Sequence, residues 1–246
     1  MNIVVIGDSW GVGEWPDPTI KLAYGEYHQM DHHGLAQYLL EDGHNVVNLS
    51  EGGESNSYII WMLNFYLQRI STDVDIIYVF QTEFYRDLDL LEFSATTFSE
   101  LLSQTNERFL INLQKISQKY NVKINIIGGC SDTTYFPNLE VEYPGVTVVC
   151  QSLVNLLLHG EPFINTPVHS IIVPANTLIS IKNKYRDLEF ILDYLDREQQ
   201  RKDNLKKFKM FFWPDGMHPN RTSHRILFDY LTKNDKSLII NNIIKE

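Results

Sequence analysis

Asn2-Ile3-Val4-Val5-Ile6-Gly7-Asp8-Ser9-Trp10 is the stretch on which the reading of this chain turns. Ile3 to Ile6 form an unbroken β-branched run without polar alternation, the pattern of a strand buried on both faces. Such strands belong to parallel sheets covered by helices, and ligands in those sheets bind beyond the carboxyl ends of the strands. The run stops at Gly7-Asp8-Ser9, so a serine hydroxyl is delivered to that end. Gly, Asp and Ser also build ordinary turns, and a serine hydroxyl is inert until a base takes its proton. A nucleophilic role for Ser9 therefore requires a histidine from elsewhere in the chain.

Outward from this strand the same unit recurs. Residues 11–18 are rich in Gly and Pro and are expected to form a loop over the strand tip, packed down by Trp10 and Trp15. Gly34 to Asp42 has helical apolar spacing and stops at Gly43. Asn45 to Leu49 reads as a second strand, and the segment after it contains Gly52 and Gly53, where a backbone N–H can approach a ligand closely. A helix is expected over 58–70. Asp75 to Phe80 is a third strand, running into the polar cluster Gln81-Thr82-Glu83-Phe84-Tyr85-Arg86-Asp87. A long helix over 96–120 carries an apolar stripe that includes Phe98, Leu101, Leu102, Phe109, Leu113 and Ile116. Lys123 to Ile127 is a fourth strand, ended by Gly128-Gly129, and Val146 to Val149 a fifth. Prolines interrupt 131–176, which is expected to supply loops that shape specificity. Residues 187–208 read as a strongly charged, solvated helix. Strands alternating with helices predict one α/β domain over 1–246, with a parallel sheet between helical layers.

Composition narrows the function classes. The 246 residues are 43% hydrophobic and 21% charged, ordinary for a globular protein. A formal net charge of −10 argues against nucleic acid as a partner, because phosphate backbones are met by basic faces. Cys130 and Cys150 cannot make a disulfide framework and are expected as buried thiols in a reducing compartment. No stretch approaches the ~18 to 20 apolar residues of a membrane span, and a core strand stands where a signal peptide would. A cytoplasmic location without a membrane partner is the expectation. His28, His32 and His33 lack a carboxylate at ligand spacing and read as solvated or capping residues, not a metal site.

The base comes near the far end. Asp215-Gly216-Met217-His218-Pro219-Asn220 precedes a helix over 221–232, and an Asp three residues before a His can hold one imidazole nitrogen while the other faces a nucleophile. Gly-Asp-Ser after strand one, a glycine turn after strand two, a polar cluster after strand three and this last block resemble the SGNH (GDSL-type) hydrolase superfamily in order and setting. The resemblance implies a flavodoxin-like three-layer α/β/α sandwich with a parallel sheet of about five strands. It implies Ser9 as nucleophile, His218 as general base and acid, and Asp215 as its orienting carboxylate. Backbone N–H groups of Ser9 and Gly53 would bind the oxyanion, Gly53 being chosen because Gly53-Glu54-Ser55 fits the second block, with Gly52 the alternative. The third block departs from the family's Gly-x-Asn-Asp. Thr82 falls on the asparagine position, Gln81 offers an amide, and Glu83 is expected to turn toward Arg86. His224 resembles a family histidine with a structural role. The implied chemistry is hydrolysis of a small-molecule or glycan ester, such as an acetylated sugar, through an acyl-enzyme and without a cofactor. One rival is acyl transfer to another acceptor at the same site; the other, motivated by the altered third block, is a carbohydrate-binding or structural protein that has kept the fold and lost the activity.

Overall fold

The computed structural model describes residues 1–13, 33–71, 73–87, 98–129, 132–133, 136–163, 211–212 and 218–233. Its strands are β1 (Asn2–Ile6), β2 (Asn45–Asn48), β3 (Ile76–Gln81), β4 (Lys123–Gly128) and β5 (Val146–Cys150). They form one sheet in the order β2-β1-β3-β4-β5, every pairing parallel. The helices are α1 (Ser9–Val12), α2 (Leu35–Glu41), α3 (Asn56–Arg69), α4 (Phe98–Tyr120), α5 (Leu139–Glu142), α6 (Leu153–His159) and α7 (Arg221–Lys233), with a 3-10 turn at Phe84–Asp87.

Strand alternation divides the apolar run of β1 between two cores. Ile3 and Val5 pack with Leu35, Leu39, Leu153, Leu157, Ile226 and Leu227, the layer of α2, α6 and α7. Val4 and Ile6 pack with Ile59, Leu63, Phe109 and Leu113, the layer of α3 and α4. Both sheet faces are therefore covered, which is the expected three-layer sandwich. The chain leaves β1 for β2 on one side and returns to β3 on the other, so strand order reverses at β1. In open parallel sheets ligands bind at such a reversal, beyond the carboxyl ends of the strands, and Ser9 follows β1 at that end.

Local chemistry sets the element ends. Ser55 caps α3 by accepting from Tyr58 N–H, and Ser152 caps α6 by accepting from Asn155 N–H. Gly160 closes α6 in the left-handed conformation, at φ +72°. Two expectations need correction. The segment after Ser9 does not begin as a loop: Ser9, Trp10, Gly11 and Val12 form a helical turn. Asp8 makes it possible by accepting from Trp10 N–H at 2.9 Å, and Asn48 Nδ2 ties it to β2 by donating to Gly11 O at 3.1 Å. The proline-rich region also contains α5 and α6, because Pro144 and Pro162 lie just beyond their carboxyl ends and stop them without interrupting them. Trp15, His28, His32, Cys130, Asp215 and the charged stretch 187–208 lie outside the described residues. Among the described residues, no helix is long and apolar enough to cross a membrane.

Candidate active site

Ser9 is presented by two backbone constraints. Gly7 lets β1 run against β3, since a Cβ there would lie 2.6 Å from Phe80 Cβ and 2.8 Å from Phe80 O. The Asp8 cap then turns the chain sharply into α1, leaving Ser9 7% exposed at the first helical position. Trp10 does not wall a pocket; it is buried, with its ring 6.2 Å from that of Phe212.

That ring contact brings the two ends of the sequence together. Phe212 forms an isolated antiparallel bridge with Pro219, and Asn220 N–H donates to Phe211 O at 2.9 Å. Asn220 Oδ1 then accepts from Ser223 N–H and caps α7, while the Ser223 hydroxyl also donates to Phe211 O. His218, half-buried, is followed directly by residues held on both sides, by the bridge to Phe212 and by the cap of α7. The residue after Ser9 touches the strand segment that holds the residue after His218.

The third block folds into a buried charge cluster. Thr82 Oγ1 lies 3.0 Å from Asp8 Oδ2 and 2.8 Å from Glu83 Oε2. Arg86 Nε donates to Glu83 Oε2 at 2.7 Å, as the sequence led us to expect, and Arg86 Nη2 stands 3.7 Å from Asp8 Oδ2. Burial pushes the Asp8 carboxyl up to about 6, the charge of Glu83 adding to the effect, against the Trp10 N–H bond, Arg86 and Thr82. A hydroxyl has one hydrogen to give. With carboxylate oxygens on two sides, the hydroxyl of Thr82 is committed to them and not to a ligand. Gln81 is also sealed, at 2% exposed: its carbonyl oxygen accepts from the Thr133 hydroxyl, and Nε2 has no hydrogen-bond partner among the described residues.

Asn56, which the sequence reading passed over, holds this block in place. Its Nδ2 donates to Thr82 O at 3.0 Å and its Oδ1 accepts from Thr82 N–H at 3.1 Å, joining the start of α3 to the end of β3. An asparagine just inside a helix start, where Ser55 already caps, was the available signal. Gly53 has φ +87°, a conformation that favours glycine, whereas Gly52 shows no positive φ. A Cβ on Gly53 would meet only Arg86 Nη1, at 3.9 Å. Arg86 thus spans from the carboxylate beside Ser9 to the second-block glycine.

Three other groups singled out in the sequence are buried or half-buried. His224 is fully buried, and burial lowers it to about 3, with His33 adding to the effect and the Gly13 backbone opposing it. It stays neutral and meets the Phe80 ring edge-on at 6.3 Å. His33 is partly exposed, its ring packing 4.6 Å from that of Tyr38 and its Nε2 standing 3.4 Å from Glu41. Cys150 is a buried thiol pushed up by desolvation. Among the described residues no group of three His, Cys, Asp or Glu could hold a metal ion.

No family model matches the sequence, and no curated protein matches it either. Solved structures do. The psychrotrophic esterase EstA from Pseudoalteromonas sp. is similar over 100% of this chain and 99% of its own, at 11% identity and TM-score 0.47. The lipase/acylhydrolase from Enterococcus faecalis matches over 98% of this chain and 94% of its own, at 13% identity and TM-score 0.36. AlinE4, an SGNH-hydrolase family esterase, matches over 74% and 90%, at 16% identity and TM-score 0.36.

Proposed function

We propose that the chain is a serine esterase in which Ser9 attacks an ester carbonyl and His218 first takes the serine proton, then gives it to the leaving alcohol. Asp215 is the residue that would orient the imidazole and stabilise its charged form. Water activated by the same histidine would release the acid from the acyl-enzyme. Backbone N–H groups of Ser9 and Gly53 would receive the developing oxyanion, a stabilisation made only in the transition state.

One observation supports the reading: at the reversal point of the sheet, Trp10 beside Ser9 packs on Phe212, which is bridged to Pro219 beside His218. A small-molecule ester is the substrate class. An O-acetylated carbohydrate is the finer proposal, resting on the family resemblance alone. The test is hydrolysis of p-nitrophenyl acetate and butyrate by the purified protein beside Ser9→Ala, with circular dichroism on both. Turnover lost in a folded Ser9→Ala supports the esterase; equal release of p-nitrophenol by both proteins removes Ser9 as the nucleophile for these esters.

A further inference from the structure

We propose that Arg86 is a catalytic residue of this site, its guanidinium taking the oxyanion-binding place that the third-block asparagine fills in the SGNH family. The assignment rests on the esterase reading above and says how that site works without the asparagine.

Reach and geometry carry the argument. An oxyanion donor must be accessible to a bound ester. Thr82 is 1% exposed with its hydrogen held between Asp8 and Glu83, and Gln81 is 2% exposed and turned to Thr133. The Arg86 side chain keeps 20% of its surface open. Nη2 stands 3.7 Å from Oδ2 of Asp8, the residue before Ser9, and Nη1 lies 3.9 Å from where a Cβ of Gly53 would be. Guanidinium presents five N–H donors in a rigid fork, of which Nε donates to Glu83 and Nη2 faces Asp8.

Preorganisation follows from the same contacts. Glu83 fixes the plane of the guanidinium, and Asn56 fixes the Thr82 backbone from which Glu83 and the 3-10 turn carrying Arg86 proceed. A donor already oriented before the reaction costs nothing to align in the transition state.

The test compares wild type, Ser9→Ala, Arg86→Gln and Arg86→Lys in p-nitrophenyl acetate turnover and in labelling by a fluorophosphonate probe, which builds negative oxygen at the same place. Because Arg86→Gln leaves Glu83 buried without its partner, the double variant Glu83→Gln/Arg86→Gln keeps a neutral pair there if the single variant fails to fold. Expected is a fall of about 100- to 1,000-fold in kcat with KM little changed, a matching fall in labelling rate, partial recovery in Arg86→Lys, and partial rescue of Arg86→Gln by added guanidinium ion. Folded Arg86→Gln, or the folded double variant, within about threefold of wild type in a Ser9-dependent reaction overturns the assignment and leaves the esterase standing. Absence of any Ser9-dependent turnover or labelling in wild type takes down both.

Discussion

Asp8 and Glu83 are joined through a single hydroxyl: Thr82 Oγ1 stands 3.0 Å from Oδ2 of the first and 2.8 Å from Oε2 of the second. All three side chains are buried, so each lost bond leaves a group that water cannot solvate. Thr82→Val keeps the shape and removes the bridge. It is expected to destabilise the protein by about 1–3 kcal/mol in urea denaturation, with Thr82→Ser close to wild type. Equal midpoints for the Val and Ser variants would mean the bridge contributes nothing.

Asp8 and His224 should oppose each other in the pH dependence of stability. Burial raises Asp8 from 3.8 to about 6, so between these values the folded state binds the extra proton and stability falls as pH rises. Burial lowers His224 from 6.5 to about 3, so between those values the unfolded state binds the extra proton and stability rises with pH. Across roughly pH 4 to 6 the two slopes cancel. Asp8→Asn, which can still cap α1, is expected to lose stability more steeply than wild type on acidification through that window. Denaturation midpoints of the two proteins at pH 4, 5 and 6 check this; parallel profiles would refute it.

Ser9 and His218 should behave as one unit. If each variant alone removes the reaction path, Ser9→Ala/His218→Ala is expected to be no slower in p-nitrophenyl acetate hydrolysis than either single variant. Losses that multiply would show that the two act independently.

Gly7 and Gly53 are glycines for different reasons, and alanine separates them. At Gly7 a Cβ would overlap the Phe80 backbone and side chain, so Gly7→Ala must move β1 against β3 at a cost of about 1–3 kcal/mol, read as a lower urea midpoint. At Gly53 there is room, and the cost is the left-handed backbone, about 1–2 kcal/mol. Gly53→Ala is expected to lose turnover out of proportion to stability, because relieving that strain swings the amide N–H. Unchanged kcat in Gly53→Ala would move the donor elsewhere.

The sheet and its covering were legible in the sequence because they depend on short-range pattern. Ile3 to Ile6 and Ile76 to Phe80 are apolar runs that suit strands buried on both faces, and Gly43 ends a helix by its own conformational freedom, at φ +86°. The helical turn at Ser9 was missed because it is stabilised from outside its own four residues, by Asp8 and by Asn48 of β2. The short helices α5 and α6 were missed because prolines that stop a helix look, in sequence, like prolines that prevent one.

Sequence by itself determined which residues arrive at the carboxyl edge: a serine after β1, glycines after β2, polar and charged groups after β3. Tertiary structure decided what each does there. Strand register brings Thr82 between Asp8 and Glu83 and lays Arg86 from Asp8 toward Gly53, and burial lifts the carboxyl of Asp8. Contacts between segments this far apart depend on ångström-scale distances and on excluded water, and neither is encoded in the spacing of residues along the chain.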